Sequence, residues 1–178
     1  MQIIHFMSLD AYEIEVFYHS FYCLVIALIG LSFNKKTLPP LNMITIEGQP
    51  ITNQDLHGKV VLINFWATDC PGCINEMPEL INTYNDFKQD GFEVLAVSMF
   101  YDPPSRVMSF SKNYPLPFPV IMDIKKDIIK NFEDVKLTPT SILINHKGEI
   151  INTIIGEIEF DSFRQSLKNL LKDASEHS

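Results

Sequence analysis

The chain has 178 residues, with 22 acidic against 14 basic side chains, a formal net charge of −8 and 46% apolar residues. That composition suits one globular domain plus an appendage, and its acidic balance excludes neutralising a row of nucleic-acid phosphates. Only three cysteines are present, which excludes a small disulfide-stapled scaffold.

Met1 to Glu15 contains Asp10, Glu13 and Glu15 and no Lys or Arg. Val16 to Phe33 follows as an apolar run, interrupted only by His19 and serines, at the lower limit of the roughly 17 to 25 residues that span a bilayer. It reads as an uncleaved membrane helix. A signal peptide cut near Gly30-Leu31-Ser32 is the alternative, which would leave a secreted periplasmic domain, but the basic n-region it needs is missing. Cys23 lies within the run, with no small-residue lipidation signal before it. Residues 1–39 are therefore read as anchor or signal segment with its linker, and residues 40–178 as the folded domain. Lys35 and Lys36 follow the run and acids precede it, a charge pattern that by the positive-inside rule would retain the domain in the cytoplasm.

Met43 to Ile46 reads as a short strand and Glu47-Gly48-Gln49-Pro50 as a turn. Gly58 supplies a second tight turn, and His57 beside it is read as a solvated turn residue without a role. Val60 to Trp66 is a near-continuous apolar run rich in β-branched and aromatic residues, which predicts a strand buried on both faces in the middle of a sheet.

Directly after that strand stands Cys70-Pro71-Gly72-Cys73. Pro71 suits the first position of a helix, where its missing N–H costs nothing, so Cys70 falls at a helix N-terminus. Unpaired N–H groups and the helix dipole there stabilise a thiolate, the form of the thiol that reacts. Cys73, one turn on, shares the face and is expected to be less exposed. Cys70 can attack a partner disulfide and Cys73 can then resolve the mixed disulfide. The bland alternatives are half of a zinc site, for which no second CxxC or HxxxH is present, and two inert buried thiols.

The run NFWATDCPGCINEMPEL resembles the active-site segment of the thioredoxin superfamily, specifically its TlpA-like and ResA-like membrane-anchored thiol-disulfide oxidoreductases. Phe65, Trp66, Ala67, Thr68, Cys70, Cys73, Glu76 and Pro78 match the pattern, and the likeness extends from about Pro40 to Leu171. One departure is Asp69, where the family usually carries Trp. The resemblance implies an α/β, thioredoxin-like fold: a central mixed β-sheet flanked by helices, with an inserted segment and an N-terminal membrane helix. It implies a redox-active Cys70–Cys73 disulfide with no other cofactor, and protein thiols or disulfides as partners. A membrane thiol carrier would supply electrons, and cytochrome c maturation is one implied role. It also implies a domain outside the cytoplasmic membrane, and this reading is adopted over the charge pattern.

The helix after Cys70 is expected to run to about Lys88, with Leu80, Ile81, Tyr84 and Phe87 facing the sheet and a kink at Pro78. Phe92 to Ser98 is the next strand, parallel to the first because a helix joins them. Tyr101 to Asp123 is the inserted segment, with a short helix from Pro103-Pro104 to about Asn113 and alternate prolines from Pro115 to Pro119 enforcing an extended path. Val120 to Met122 forms a short strand and Asp127 to Phe132 a helix. Thr138-Pro139-Thr140 falls where the resembled proteins carry a cis-proline facing the cysteines, so the resemblance places Trp66, Thr138 and Pro139 at the substrate surface. Ser141 to Asn145 and Glu149 to Ile155 form an antiparallel hairpin about His146-Lys147-Gly148. Phe160 to Leu171 closes the domain as an amphipathic helix capped near Asp161 or Ser162, with the tail Asp173 to Ser178 frayed.

Two acids flank the cysteines. Glu76 lies one turn after Cys73 on the same helix face, and the resemblance assigns it proton transfer with the second sulfur; an ordinary acid favouring the dipole is the alternative. Asp69, beside Cys70, opposes thiolate formation and should make the pair more reducing. Two other activities on such a scaffold fit less well. A copper chaperone of this kind uses CxxxC with a distant histidine, and a thiol peroxidase needs Thr or Ser where Ala67 stands.

Overall fold

The computed structural model describes His19, Phe21, Tyr22, residues 36–133 and residues 135–177. The chain divides into two compact units, Met1–Lys36 and Thr37–Ser178. The expected membrane helix, with Cys23 and the candidate cleavage site, lies outside the described residues except for His19, Phe21 and Tyr22, which are helical. Among the described residues no helix is long and apolar enough to cross a membrane.

The second unit is built on a five-stranded mixed sheet in the order β5-β4-β3-β6-β7. Its middle strand, β3 (Val60–Trp66), has every residue buried, as a run apolar at all but Asn64 requires. β4 (Phe92–Ser98) pairs with it in parallel, Val60 opposite Phe92 and Trp66 opposite Ser98. β5 (Val120–Met122) continues the parallel edge. On the other side β6 (Thr140–Ile144) runs antiparallel to β3, with Phe65 opposite Thr140, and β7 (Ile150–Ile155) runs antiparallel to β6.

Both faces of the sheet are covered. Alternate β3 side chains, Val60, Leu62 and Trp66, pack with Met77, Leu80, Val107, Phe163, Leu167 and Leu171. These come from α2 (Pro71–Phe87), α3 (Pro104–Asn113) and α5 (Phe160–Glu176). The intervening residues Val61, Ile63 and Phe65 face Met43, Ile51, Leu56, Ile128, Ile129 and Phe132. That layer holds the two-stranded β1 (Asn42–Ile44) and β2 (Pro50–Thr52), and the single turns α1 (Asn53–Leu56) and α4 (Asp127–Lys130). Period-two alternation along one strand thus feeds two separate cores.

Several boundaries differ from expectation. β2 and α1 are too short for periodicity to reveal, although Thr52 and Asp55 form a capping box. α2 ends where expected, continuing through Pro78 to Phe87 with Lys88 as its C-cap, and a single 3-10 turn, Lys88–Asp90, follows it. α5 is capped by Glu159, whose carboxylate accepts from the N–H groups of Asp161 and Ser162, rather than by either of those two residues. The tail expected to fray remains helical through Glu176, because Ala174 is buried and holds the last turn down.

Candidate active site

The sequence at the end of β3 dictates the position of the two sulfurs. β3 stops at Trp66, and Ala67 to Asp69 turn the chain before Pro71 opens α2. Cys70 becomes the N-cap residue, with extended backbone, and its Sγ accepts the Cys73 N–H at 3.2 Å. Sulfur here does the work that an oxygen does in most N-caps. Cys70 is half-buried and Cys73 fully buried, and the two are joined as a disulfide with Cα atoms 5.3 Å apart. The expected spacing, shared face and difference in exposure are all present.

The loop that holds Cys70 is strapped to the segment after β4. Asp102, itself buried, accepts the Thr68 N–H at 2.6 Å and the Thr68 hydroxyl at 2.7 Å. The Met99 N–H donates to the Trp66 carbonyl at 2.9 Å and continues the strap. Sequence reading did not assign Asp102 a role. Its one signal is an acid between an apolar strand and a Pro-Pro helix start.

Beneath the sulfurs lies a buried polar chain. Asn64, the one polar residue of β3, is opposite Ser141 in the β3–β6 register. Its Nδ2 donates to the Ser141 Oγ and to Glu76 Oε1, both at 2.9 Å. Glu76 Oε2 accepts the Ile158 N–H at 3.0 Å. Burial pushes the Glu76 carboxyl above the ordinary range; the Ile158 and Asn64 hydrogen bonds oppose that shift, and the charge of Glu157 adds to it. Asn64 Oδ1 is buried without a partner. Since amide oxygen and nitrogen are assigned from their partners, rotating Asn64 would present an acceptor to a protonated Glu76. The residue can therefore serve either charge state of the acid.

Two further acids surround the pair. Asp69 is exposed beside Cys70, as its sequence position requires. Glu157 reaches over the turn between the cysteines, where a Cβ added to Gly72 would lie 3.0 Å from Glu157 Oε1. Glycine at that place leaves the carboxylate room.

The Thr138–Pro139 peptide is cis and immediately precedes β6, so Pro139 stands beyond the Phe65–Thr140 pair at the end of the sheet from which the cysteine loop leaves. The Thr138 Oγ1 is 3.4 Å from the Tyr101 hydroxyl, and Tyr101, Leu137 and Ile155 are 49%, 63% and 66% exposed. Trp66 departs from expectation. It is fully buried, with its ring 5.1 Å from that of Phe110 in α3, and it offers no surface to a substrate. As the last residue of β3 it points into the layer covered by α2 and α3, where the inserted segment closes over it.

A mixed sheet covered on both faces, with paired sulfurs at a helix start and a cis-proline at the same sheet end, defines a thioredoxin-fold redox protein. The Redoxin family model matches residues 34–171. Thiol-disulfide oxidoreductase ResA of Halalkalibacterium halodurans is 38% identical over 111 residues, 62% of this chain and 62% of that protein. ResA of Bacillus thuringiensis subsp. konkukian is 36% identical over 135 residues, 76% of this chain and 77% of that one. Among solved structures, a candidate thioredoxin from Neisseria meningitidis aligns with a TM-score of 0.72 and 42% identity, covering 78% of this chain and 92% of that one. StoA from Bacillus subtilis aligns with a TM-score of 0.62 and 29% identity, covering 71% and 95%. The chain belongs to the redoxin family of the thioredoxin superfamily, among the TlpA/ResA-like thiol-disulfide oxidoreductases.

Because the folded-state pKa of Glu76 lies above its ordinary 4.5, its protonation favours the folded state at low pH, and that contribution is lost as pH rises through the raised value. In urea titrations between pH 4.5 and 7.5, Glu76→Gln is expected to lose less stability than the parent as pH rises; an identical decline in both would show that the acid is not perturbed. Asp69→Ala should raise the reduction potential of Cys70/Cys73 by up to about 30 mV, the equivalent of one pKa unit for a two-electron couple. Equilibration against glutathione checks this, and an unchanged potential would mean that solvent screens the carboxylate.

Proposed function

We propose that the chain reduces disulfides in other proteins by a two-step exchange through Cys70 and Cys73. The observation that carries this reading is the half-buried Cys70 sulfur capping a helix with a fully buried second sulfur bonded to it. In the reduced protein the Cys70 thiolate attacks one sulfur of the substrate disulfide. That bond breaks, one substrate thiolate leaves, and a mixed disulfide forms. The Cys73 thiolate then attacks Cys70 Sγ, closing the Cys70–Cys73 disulfide and releasing the second substrate thiolate, so two electrons pass to the substrate.

Cys73 must lose a proton before it attacks. Glu76, one helical turn away and closed off from solvent, is the base this reading assigns, with Asn64 orienting it. The backbone at Thr138, ahead of Pro139, pairs with an extended substrate segment, while Tyr101, Leu137 and Ile155 offer it apolar contact. The carboxylates of Asp69, Glu76 and Glu157 around the pair disfavour thiolate and so support a reductant over an oxidant. In this reading the domain works on the extracytoplasmic side of a membrane, held by the segment from Val16 to Phe33. A membrane thiol carrier reduces it again, and apocytochrome c cysteines are one substrate.

Cys73→Ser should accumulate a covalent complex with a disulfide-bearing protein through Cys70, released by dithiothreitol, whereas Glu76→Gln should form the mixed disulfide at near-parent rate and resolve it more slowly. Failure of Cys73→Ser to trap any partner would remove the mechanism. For location, a membrane-impermeant maleimide added to intact cells should label reduced Cys70; labelling only after lysis would place the domain inside.

A further inference from the structure

At the far end of β6 from Pro139, the β6–β7 turn meets the end of α5. β6 ends at Ile144, and His146 lies in the turn that follows. Asp173 belongs to the last turn of α5 and His177 is its C-cap residue. One ring nitrogen from each histidine and one Asp173 oxygen all lie within 4.8 Å of one another.

The three side chains satisfy one another poorly. His146 Nδ1 is 3.7 Å from Asp173 Oδ2, and His177 Nδ1 is 3.5 Å from Asp173 Oδ1. The first distance is too long for a hydrogen bond and the second is at its limit. The His146 side chain is only 9% exposed, and both of its ring nitrogens are buried without a hydrogen-bond partner. A neutral imidazole carries one donor and one acceptor, and burying both unpaired is costly. The two rings lie nearly parallel, 25° apart with centroids separated by 6.0 Å, and each has a nitrogen near the same carboxylate. His177 Nδ1 is also 2.8 Å from the Asp173 carbonyl oxygen; donation to a main-chain carbonyl is the contact that commonly fixes the tautomer of a metal-binding histidine. Lys147 Nζ, 3.8 Å from Asp173 Oδ2, is the cation competing for that carboxylate, and its half-exposed side chain is free to swing away.

We propose that His146, Asp173 and His177 form a zinc site that pins the end of α5 to the β6–β7 turn. Two imidazoles and a carboxylate suit zinc, with water completing a tetrahedron, and closing the ligands to bonding distance of about 2.0 to 2.2 Å requires only that three side chains converge. Asp173 and His177 are four residues apart and share a helix face, and the burial of Ala174 keeps that turn formed. The chemistry is structural and independent of the sulfurs, which lie at the other end of the strand.

The test is a calorimetric titration of zinc chloride into the full chain with Cys70–Cys73 oxidised, so that these two sulfurs cannot bind the metal. Parent protein is expected to take up one zinc per chain and to show a raised unfolding midpoint when loaded. His177→Gln, at an exposed position whose loss leaves the core intact, should weaken that uptake at least about tenfold and abolish the shift. Cobalt in place of zinc should give the intense visible absorption of a tetrahedral ion in the parent and not in His177→Gln. Absence of saturable binding, or equal binding by parent and His177→Gln, would overturn the proposal.

Discussion

The hydrogen bond from the Cys73 N–H to Cys70 Sγ is the contact on which the site depends. A helix start leaves N–H groups unpaired, and here the partner is the Cys70 sulfur. The same placement therefore completes the helix and favours negative charge on that sulfur. Pro71 makes it possible by ending the strand-to-helix turn without wasting a donor. The sulfur's position is then only as definite as the loop behind it, which is why the Thr68 contacts to Asp102 matter.

A second constraint runs beneath that one. The Asn64–Glu76–Ile158 chain joins the middle strand, the cysteine helix and the approach to the last helix. A carboxylate so deeply buried is an expensive group to retain for stability alone, since a well-packed apolar side chain would do as well or better. Its hydrogen bonds keep it soluble within the core, and the resulting compromise is a raised affinity for protons next to a thiol.

Much of this could be read from the chain. β3, β4 and the final hairpin follow from largely apolar runs bounded by Gly and Pro, α3 from its Pro103-Pro104 start, and the two cysteines announce their place by the Pro-Gly between them. What stayed hidden depends on partners far off in sequence. Glu76 meets Ile158 across 82 positions and Thr68 meets Asp102 across 34, and no local period encodes either pairing. The resemblance places Trp66 at the surface, but strand alternation turns it inward, under α3. The polar composition at the end of α5 suggests fraying, whereas one small buried residue, Ala174, anchors it.

The strap from Asp102 to Thr68 gives the inserted segment a duty beyond filling space. Residues 101–123 supply, in Asp102, the carboxylate that grips the cysteine loop and, in Phe110, the ring that covers Trp66. A shorter connection grafted between β4 and β5 from a minimal member of the superfamily would leave the central strands paired yet free the loop on which Cys70 sits. The segment between β4 and β5 is thus no exchangeable cassette, and chimeras across this boundary would keep their central sheet while losing the definition of the cysteine loop.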